Sequence, residues 1–391
     1  MDLRERRALV KRWLHAGVAA VDPEQLTFEA LRGSDGPATV VAIGKAGAAM
    51  CRGAARALGE VSGVCVTNAV GDVPDGIRLL IGDHPVPAEG SFEAGDVVLD
   101  VAAGAGGRLI ALISGGGSAL CETPRPGVDR VLIQQVNSTL LDGGASIDDT
   151  NLVRRHLSAI KAGGVARAAS VPVETLIVSD VVGGGPEVVA SGPTIPVSPD
   201  PDGAIEIMCR HGINPSEDVE SAIRAASDSH EAGPVRVLAD GRTAAGAVAE
   251  AATSDGFAAG VADGWFRGDV ESCLDQFLSR AQPGVLVAAG EPNVTVSGIG
   301  TGGRNSHAAL LAARRIEGTA DVFAAFATDG VDGRSDGAGG LVDGTTISRG
   351  GPPTEALGTS DSATYLERIG DLIRTGPTGT NVSDLWLLWR I

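Results

Sequence analysis

The stretch LIALISGGGSAL, from Leu109 to Leu120, is an apolar run that stops in Ser114, Gly115, Gly116, Gly117 and Ser118. Where side chains vanish between a strand and a helix, consecutive backbone N–H groups are free to converge on phosphate or carboxylate. Further glycine loops follow apolar runs in VVAIGKAG (40–47), LIVSDVVGGGP (176–186), VTVSGIGTGGRN (294–305), FAAFATDGVDGRSDGAGG (323–340) and RTGPTGTN (374–381). None ends in the GKS or GKT of a P-loop, and none reads GxGxxG after a strand with an acidic residue at the expected distance. A nucleotide site here is built in a less common way.

Anions need cations, and this chain is sparing with one kind of them. Of 31 lysines and arginines only Lys11, Lys45 and Lys161 are lysines. Where arginine is otherwise the rule, a lysine in a glycine-flanked loop supplies a compact, mobile point charge rather than a planar fork. Lys45 and Lys161 have that setting, whereas Lys11 belongs to a charged first helix. Against them stand 49 acidic residues and a formal net charge of −18. Such a chain repels nucleic acid and anionic membrane surfaces, so anionic substrates require cations gathered locally.

The elements that position these loops alternate. Short Val-, Ile- and Leu-rich strands are expected at 40–43, 63–67, 79–81, 109–113 and 175–178. Helix-spaced segments lie between them at 46–58, 91–103, 128–141 and 151–162. This alternation predicts a mostly parallel sheet covered on both faces, with ligands outside the carboxyl ends of the strands. A proline-dense run, 192–203, precedes a polar helical stretch reaching His230, and the domain boundary is placed near Gly233. The second half offers strands at 235–240, 284–288, 293–296, 322–327 and 385–389, a smaller α/β domain. The start, MDLRERRALVKRW, reads as a helix and not as a signal peptide, and a cytoplasmic protein is expected. Five cysteines without CxxC spacing point to neither disulfides nor zinc.

AIGKAG around Lys45, DHPVP at Asp83, LISGGGSAL, RRHLSAIK from Arg154, SDV and ASGPT around Asp180 and Gly192, GGRN at Arg304 and ATDGVDG at Asp329 occur in an order that resembles the glycerate 2-kinase family with its C-terminal MOFRL domain. Some of its members carry the label hydroxypyruvate reductase. The resemblance covers nearly the whole chain. It implies a larger Rossmann-like three-layer domain (1–232), a smaller MOFRL domain (233–391) and a site in the cleft between them. It implies transfer of the γ-phosphoryl of ATP to the 2-hydroxyl of D-glycerate with Mg2+ or another divalent cation. By motif, the family's lysine, arginine and aspartate fall on Lys45, Arg304 and Asp180. Two cations flanking a phosphoryl group suit a transition state whose charge spreads over the equatorial oxygens.

Arg304 has a guanidinium that can grip phosphate in two places, with glycines letting the backbone near a ligand. Asp180, at a strand end, orients or deprotonates the hydroxyl, or else caps a turn. The 114–118 loop takes the glycerate carboxylate or a phosphate. Lys161, Asn305 and Asp329 complete the binding set. Arg154 and Lys161, seven apart, share a helix face, with Arg154 and His156 expected to be solvated and Lys161 turned to the site. Asp329, Asp332 and Asp336 are mis-spaced for a calcium loop, leaving Asp180, Asp329 and Glu291 as metal candidates. His84 contacts substrate or shapes a turn. The family's usual acids in SDVPGDDP are Gly184 and Gly185 here, and Ser306, His307 and Arg334 also depart from its pattern. A homodimer is expected. The competing functions are a kinase for a related hydroxy acid, a nicotinamide-dependent reductase and a non-catalytic sensor of phosphorylated metabolites.

Overall fold

The computed structural model describes residues 1–34, 36–225 and 231–391. They form two compact units, one of Pro23–Ser179 with Gly184–Leu238, the other of Met1–Asp22, Asp180–Gly183 and Ala239–Ile391.

The first unit is built on β1 (Ala38–Ile43), β2 (Val61–Thr67), β3 (Ile77–Ile81), β4 (Arg108–Ser114), β5 (Val173–Val178) and β6 (Val235–Ala239), in the spatial order β3-β2-β1-β4-β5-β6. Strands β1 to β5 pair in parallel. Strands covered on both faces must be apolar throughout, and the last four residues of β1 and the last six of β4 are buried. All five strands expected in the first half fall within observed ones. The strand order reverses between β1 and β4, which are neighbours although two strands intervene in sequence. The crevice at such a reversal is where open α/β sheets bind ligands.

Helix positions follow the apolar spacing with one consequential exception. The segment expected to be helical over 151–162 is the helix Ile147–Leu157. Ser158 ends it by turning its hydroxyl to accept from the amides of Ile160 and Lys161. Lys161 is therefore not on the helix, and it shares no face with Arg154. The polar stretch toward His230 resolves into the helices Pro201–Arg210 and Glu217–Arg224. Its end, 226–230, lies outside the described residues.

The second unit carries a mixed sheet of β7 (Ala259–Val261), β8 (Phe266–Asp269), β9 (Gly284–Asn293), β10 (Val322–Ala327), β11 (Gly339–Asp343), β12 (Leu372–Ile373) and β13 (Asp384–Arg390). Its order is β12-β11-β10-β13-β9-β7, with β8 also paired to β9. The separate strand expected at 293–296 does not form, since β9 already ends at Asn293. The glycine loop read over 323–340 instead finishes inside β11. There glycine is needed for packing: a Cβ on Gly340 would stand 2.5 Å from that of Ala309.

The division expected near Gly233 is displaced at both ends of the chain. Strand β6 completes the first sheet, and the helix Leu3–Ala19 belongs with the C-terminal unit. Trp13 of that helix is fully buried, 5.6 Å from the Phe257 ring and 5.1 Å from that of Trp389. One turn on, a Cβ at Gly17 would lie 2.5 Å from Val248 Cγ2 in the helix Gly241–Ser254. Burial of a large aromatic surface outweighs nearness in sequence. Cys51, Cys65, Cys121 and Cys273 are buried free thiols and Cys209 an exposed one. Among the described residues no helix is long and apolar enough to cross a membrane.

Candidate active site

In the first unit the loops after β1 and β4 meet at the sheet's reversal point. The amide of Lys45 donates to the carbonyl of Gly115 at 3.0 Å, and that of Ala46 to Ser114 Oγ at 3.0 Å. Gly44, at φ +130°, allows this approach, because a Cβ there would stand 2.3 Å from Ser114 Oγ and 2.4 Å from its carbonyl oxygen. Gly44→Ala is expected to cost more than about 1 kcal/mol, combining strained φ with a backbone collision. Chemical denaturation of the variant beside the parent checks this.

Lys45 is exposed, and its stem lies along the triple glycine. A Cβ on Gly116 would be 3.1 Å from Lys45 Cε and 3.2 Å from Cγ. Gly116 is left-handed at φ +82°, and no acceptor among the described residues takes the amide of Gly115 or Gly116. The loop thus leaves two amides without an acceptor beside an ammonium group that forms no ion pair among the described residues. Its other members serve the fold. Ser114 is buried as the brace just described, and Gly117 packs where a Cβ would be 2.7 Å from that of Ala190. Ser118 Oγ contacts Ser191 Oγ at 2.8 Å, and Ser191 donates to Asn151 Oδ1 at 3.0 Å. Ala190 and Ser191 hold positive φ of 51° and 60°, strain of a kind that gathers at functional sites.

The two expectations for RRHLSAIK are reversed. Lys161, read as a site cation, has no exposed surface and is ion-paired with the equally buried Glu122. Arg154 and His156, read as solvated, are 9% and 3% exposed. His156 accepts from the amide of Asp200 and bonds the Leu152 carbonyl, a structural role. Arg154 Nε donates to Asn137 Oδ1 at 2.5 Å. A sequence signal for its burial existed, since Thr150, Val153, Arg154 and Leu157 follow the i, i+3, i+4, i+7 spacing of an inward face. His84 lies two residues beyond Gly82, where a Cβ would touch the Leu120 carbonyl at 2.1 Å. Partial burial, then repulsion from Lys45 and Arg154, lowers its pKa and keeps the imidazole neutral at pH 7.

Asp180 follows β5 by two residues, and Val178 of β5 is paired in register with Ser114. Asp180 is half-buried and is not without a partner in the structure. Glu187 covers Gly185, its carboxylate oxygens 2.3 and 2.6 Å from the place of a Cβ there.

In the second unit Arg304 opens the helix Arg304–Arg315 and borders a cavity of about 580 Å³ with Asn293, Gly302, His307, Arg334 and Ser362. Its guanidinium is already engaged, Nε and Nη2 with Asp384 at 2.6 and 3.3 Å and Nη1 with Glu291 at 2.9 Å. Two of its five N–H groups are left for a ligand. Burial works against its charge, yet the two carboxylates outweigh this and hold it protonated. Burial also pushes the Asp384 carboxyl up to about 6, against the pull of Arg304.

The flanking glycines make room for the chain itself, not for a ligand as expected. A Cβ on Gly303 would be 2.4 Å from Asp332 Oδ1, and Asp332 accepts the amides of Asn305 and Ser306 at 2.8 Å each. This carboxylate occupies the helix N-terminus where an external anion would otherwise bind. The Asn305 side chain is wholly buried and so not offered to a ligand. Asp329 closes its own turn onto the amide of Val331. Asp332, set aside as part of the mis-spaced run, and Asp384, not named from the sequence, are thus two acids that organise this region.

No group of three His, Cys, Asp or Glu residues able to hold a metal occurs among the described residues. Asp329 and Glu291, read as metal candidates, brace a turn and pair with Arg304 in the structure.

Residues 9–257 match the family model of a domain of unknown function, DUF4147, and residues 284–384 match the MOFRL family. The chain is 36% identical over 372 residues to the D-glycerate 2-kinase of Thermotoga maritima, covering 88% of this chain and 89% of that one. It is also 36% identical over 408 residues to an Agrobacterium vitis protein provisionally named hydroxypyruvate reductase, 97% and 93% covered. The crystal structure of Thermotoga maritima glycerate kinase superposes with a TM-score of 0.90 at 32% identity, over 99% of this chain and 100% of that one.

Proposed function

The chain belongs to the glycerate 2-kinase family, in which a DUF4147 domain precedes a MOFRL domain, and from that footing we propose that it transfers the γ-phosphoryl of ATP to the 2-hydroxyl of D-glycerate. The observation carrying this reading is Lys45 laid over Gly116, beside two open amides, at the reversal point of a parallel sheet. Phosphoryl transfer asks little of a protein beyond positioning and charge neutralisation, and this loop supplies both.

In the reaction the glycerate 2-oxygen attacks the γ-phosphorus as the bond to the ADP oxygen breaks, and the hydroxyl proton passes to a base. We assign that base to Asp180. Lys45 and the amides of Gly115 and Gly116 neutralise transferring oxygens. A divalent cation arrives with the nucleotide as part of the substrate. Magnesium bound mainly by phosphates and water needs only one or two carboxylates, which accords with the lack of a protein cage.

The reductase reading meets a specific obstacle. A dinucleotide fold cradles pyrophosphate on the amides after β1, and here those of Gly44, Lys45, Ala46 and Gly47 all donate inside the protein. Incubation with ATP, Mg2+ and a panel of small hydroxy acids, followed by phosphorus NMR, is expected to show ADP formed in step with a phosphorus coupled to the C2 proton of glycerate. Transfer to none of the acids overturns the reading. Tight binding of 2-phosphoglycerate without turnover replaces it by a sensor.

A further inference from the structure

Two lysine or arginine side chains are buried among the described residues, Arg154 and Lys161. They are treated differently. Lys161 is neutralised by Glu122, whereas Arg154 forms no ion pair among the described residues. The acid nearest in influence to Arg154 is Glu122 itself, whose charge Lys161 already meets. An arginine that is only 9% exposed and meets no carboxylate in an ion pair among the described residues is costly, and burial lowers its pKa accordingly. Proteins retain such a group where a ligand supplies the missing charge.

Its setting says which kind of ligand. Asn137, itself buried and held by its Nδ2 to the Ile133 carbonyl, accepts from Nε. This fixes the guanidinium plane and uses up the side-on face. Nη1 and Nη2 have no acceptor among the described residues, so the open face is the end-on fork, which matches two coplanar oxygens. Asn151, one turn earlier on the same helix face as Arg154, is linked to the glycine loop through Ser191 and Ser118. That loop holds Lys45, and the Gly82 segment leading to His84 packs on its end. Resting on the kinase reading, we propose that Arg154 binds the carboxylate of the hydroxy acid end-on, leaving the open amides and Lys45 to the phosphoryl group.

The test compares D-glycerate with its carboxamide in the parent and in Arg154→Met. The parent is expected to prefer the acid by on the order of 100-fold in kcat/KM, the worth of a charge-assisted pair, and the variant by less than about threefold. The KM for ATP stays within about threefold of the parent, since the nucleotide is not the partner. Because a charge without an anion is being removed, the melting temperature of the free variant should hold or rise, and D-glycerate should no longer raise it.

Retained preference for the acid in Arg154→Met overturns the proposal. A selective loss of ATP affinity does so too, by assigning the fork to phosphate. A variant that melts early is replaced by Arg154→Lys, which keeps the charge without the planar fork. Loss of the acid preference in it supports the proposal, and full retention overturns it. Should the parent phosphorylate no hydroxy acid, the functional reading itself fails, an outcome separate from the behaviour of the variants.

Discussion

Replacing Lys45 by alanine should lower kcat/KM for phosphoryl transfer by about 10²- to 10³-fold, the usual consequence of removing one preorganised charge from a developing transition state. The side chain is exposed, lies along Gly116 and forms no ion pair among the described residues, so the folded protein scarcely depends on it. Denaturation midpoints of parent and variant should agree within about 0.5 kcal/mol. This contrast between an intact fold and a lost rate makes the experiment decisive, because most damaging substitutions depress both. Lys45→Arg keeps the charge but exchanges a compact ammonium for a planar fork above a loop with little depth, and should restore only part of the rate. Steady-state kinetics with both substrates varied will show whether the loss lies in kcat, as expected for a group acting on the transferring phosphoryl, or only in KM. Unchanged kinetics in Lys45→Ala would remove Lys45 from the reaction.

Glu122→Ala should destabilise the first unit by about 3–5 kcal/mol, because it leaves the ammonium of Lys161 buried without its anion. The double variant Glu122→Leu, Lys161→Met removes both charges and fills the space with carbon. It should recover most of the loss, since a buried ion pair and well-packed apolar residues are often equivalent. Equilibrium denaturation of the parent, both single variants and the double variant forms a cycle that isolates the pairing. The same proteins decide between two roles for Lys161. A structural lysine predicts that the double variant keeps its KM for glycerate and for ATP within about threefold, whereas a lysine that grips substrate predicts a far larger rise in one of them.

RRHLSAIK shows how much of the site was legible in advance. Arg154 and Lys161 were both visible as basic residues, and although Arg154 was expected to be solvated, its spacing with Val153 and Leu157 carried a signal of the inward face. Which of the two would meet a carboxylate was not visible, because the partner of Lys161 is 39 positions away and Arg154 has none among the described residues. Arg304 poses the same difficulty across 80 positions to Asp384. Its glycine neighbours looked like room for a ligand and are occupied by Asp332 and Ser362.

The sequence by itself determined the local features: the apolar strands β1 to β5, the glycines where two loops approach, a lysine in one of them, and the ordered motifs of the glycerate 2-kinase family. These depend on the period of side chains along a strand or helix and on the backbone freedom of glycine, both read from neighbouring residues. Tertiary structure alone decided the strand order that brings β1 beside β4, the union of Trp13 with Phe257 and Trp389, and above all which charges are left without a counter-charge. Burial and pairing are properties of the space around a group, and residues far apart in the chain fill that space.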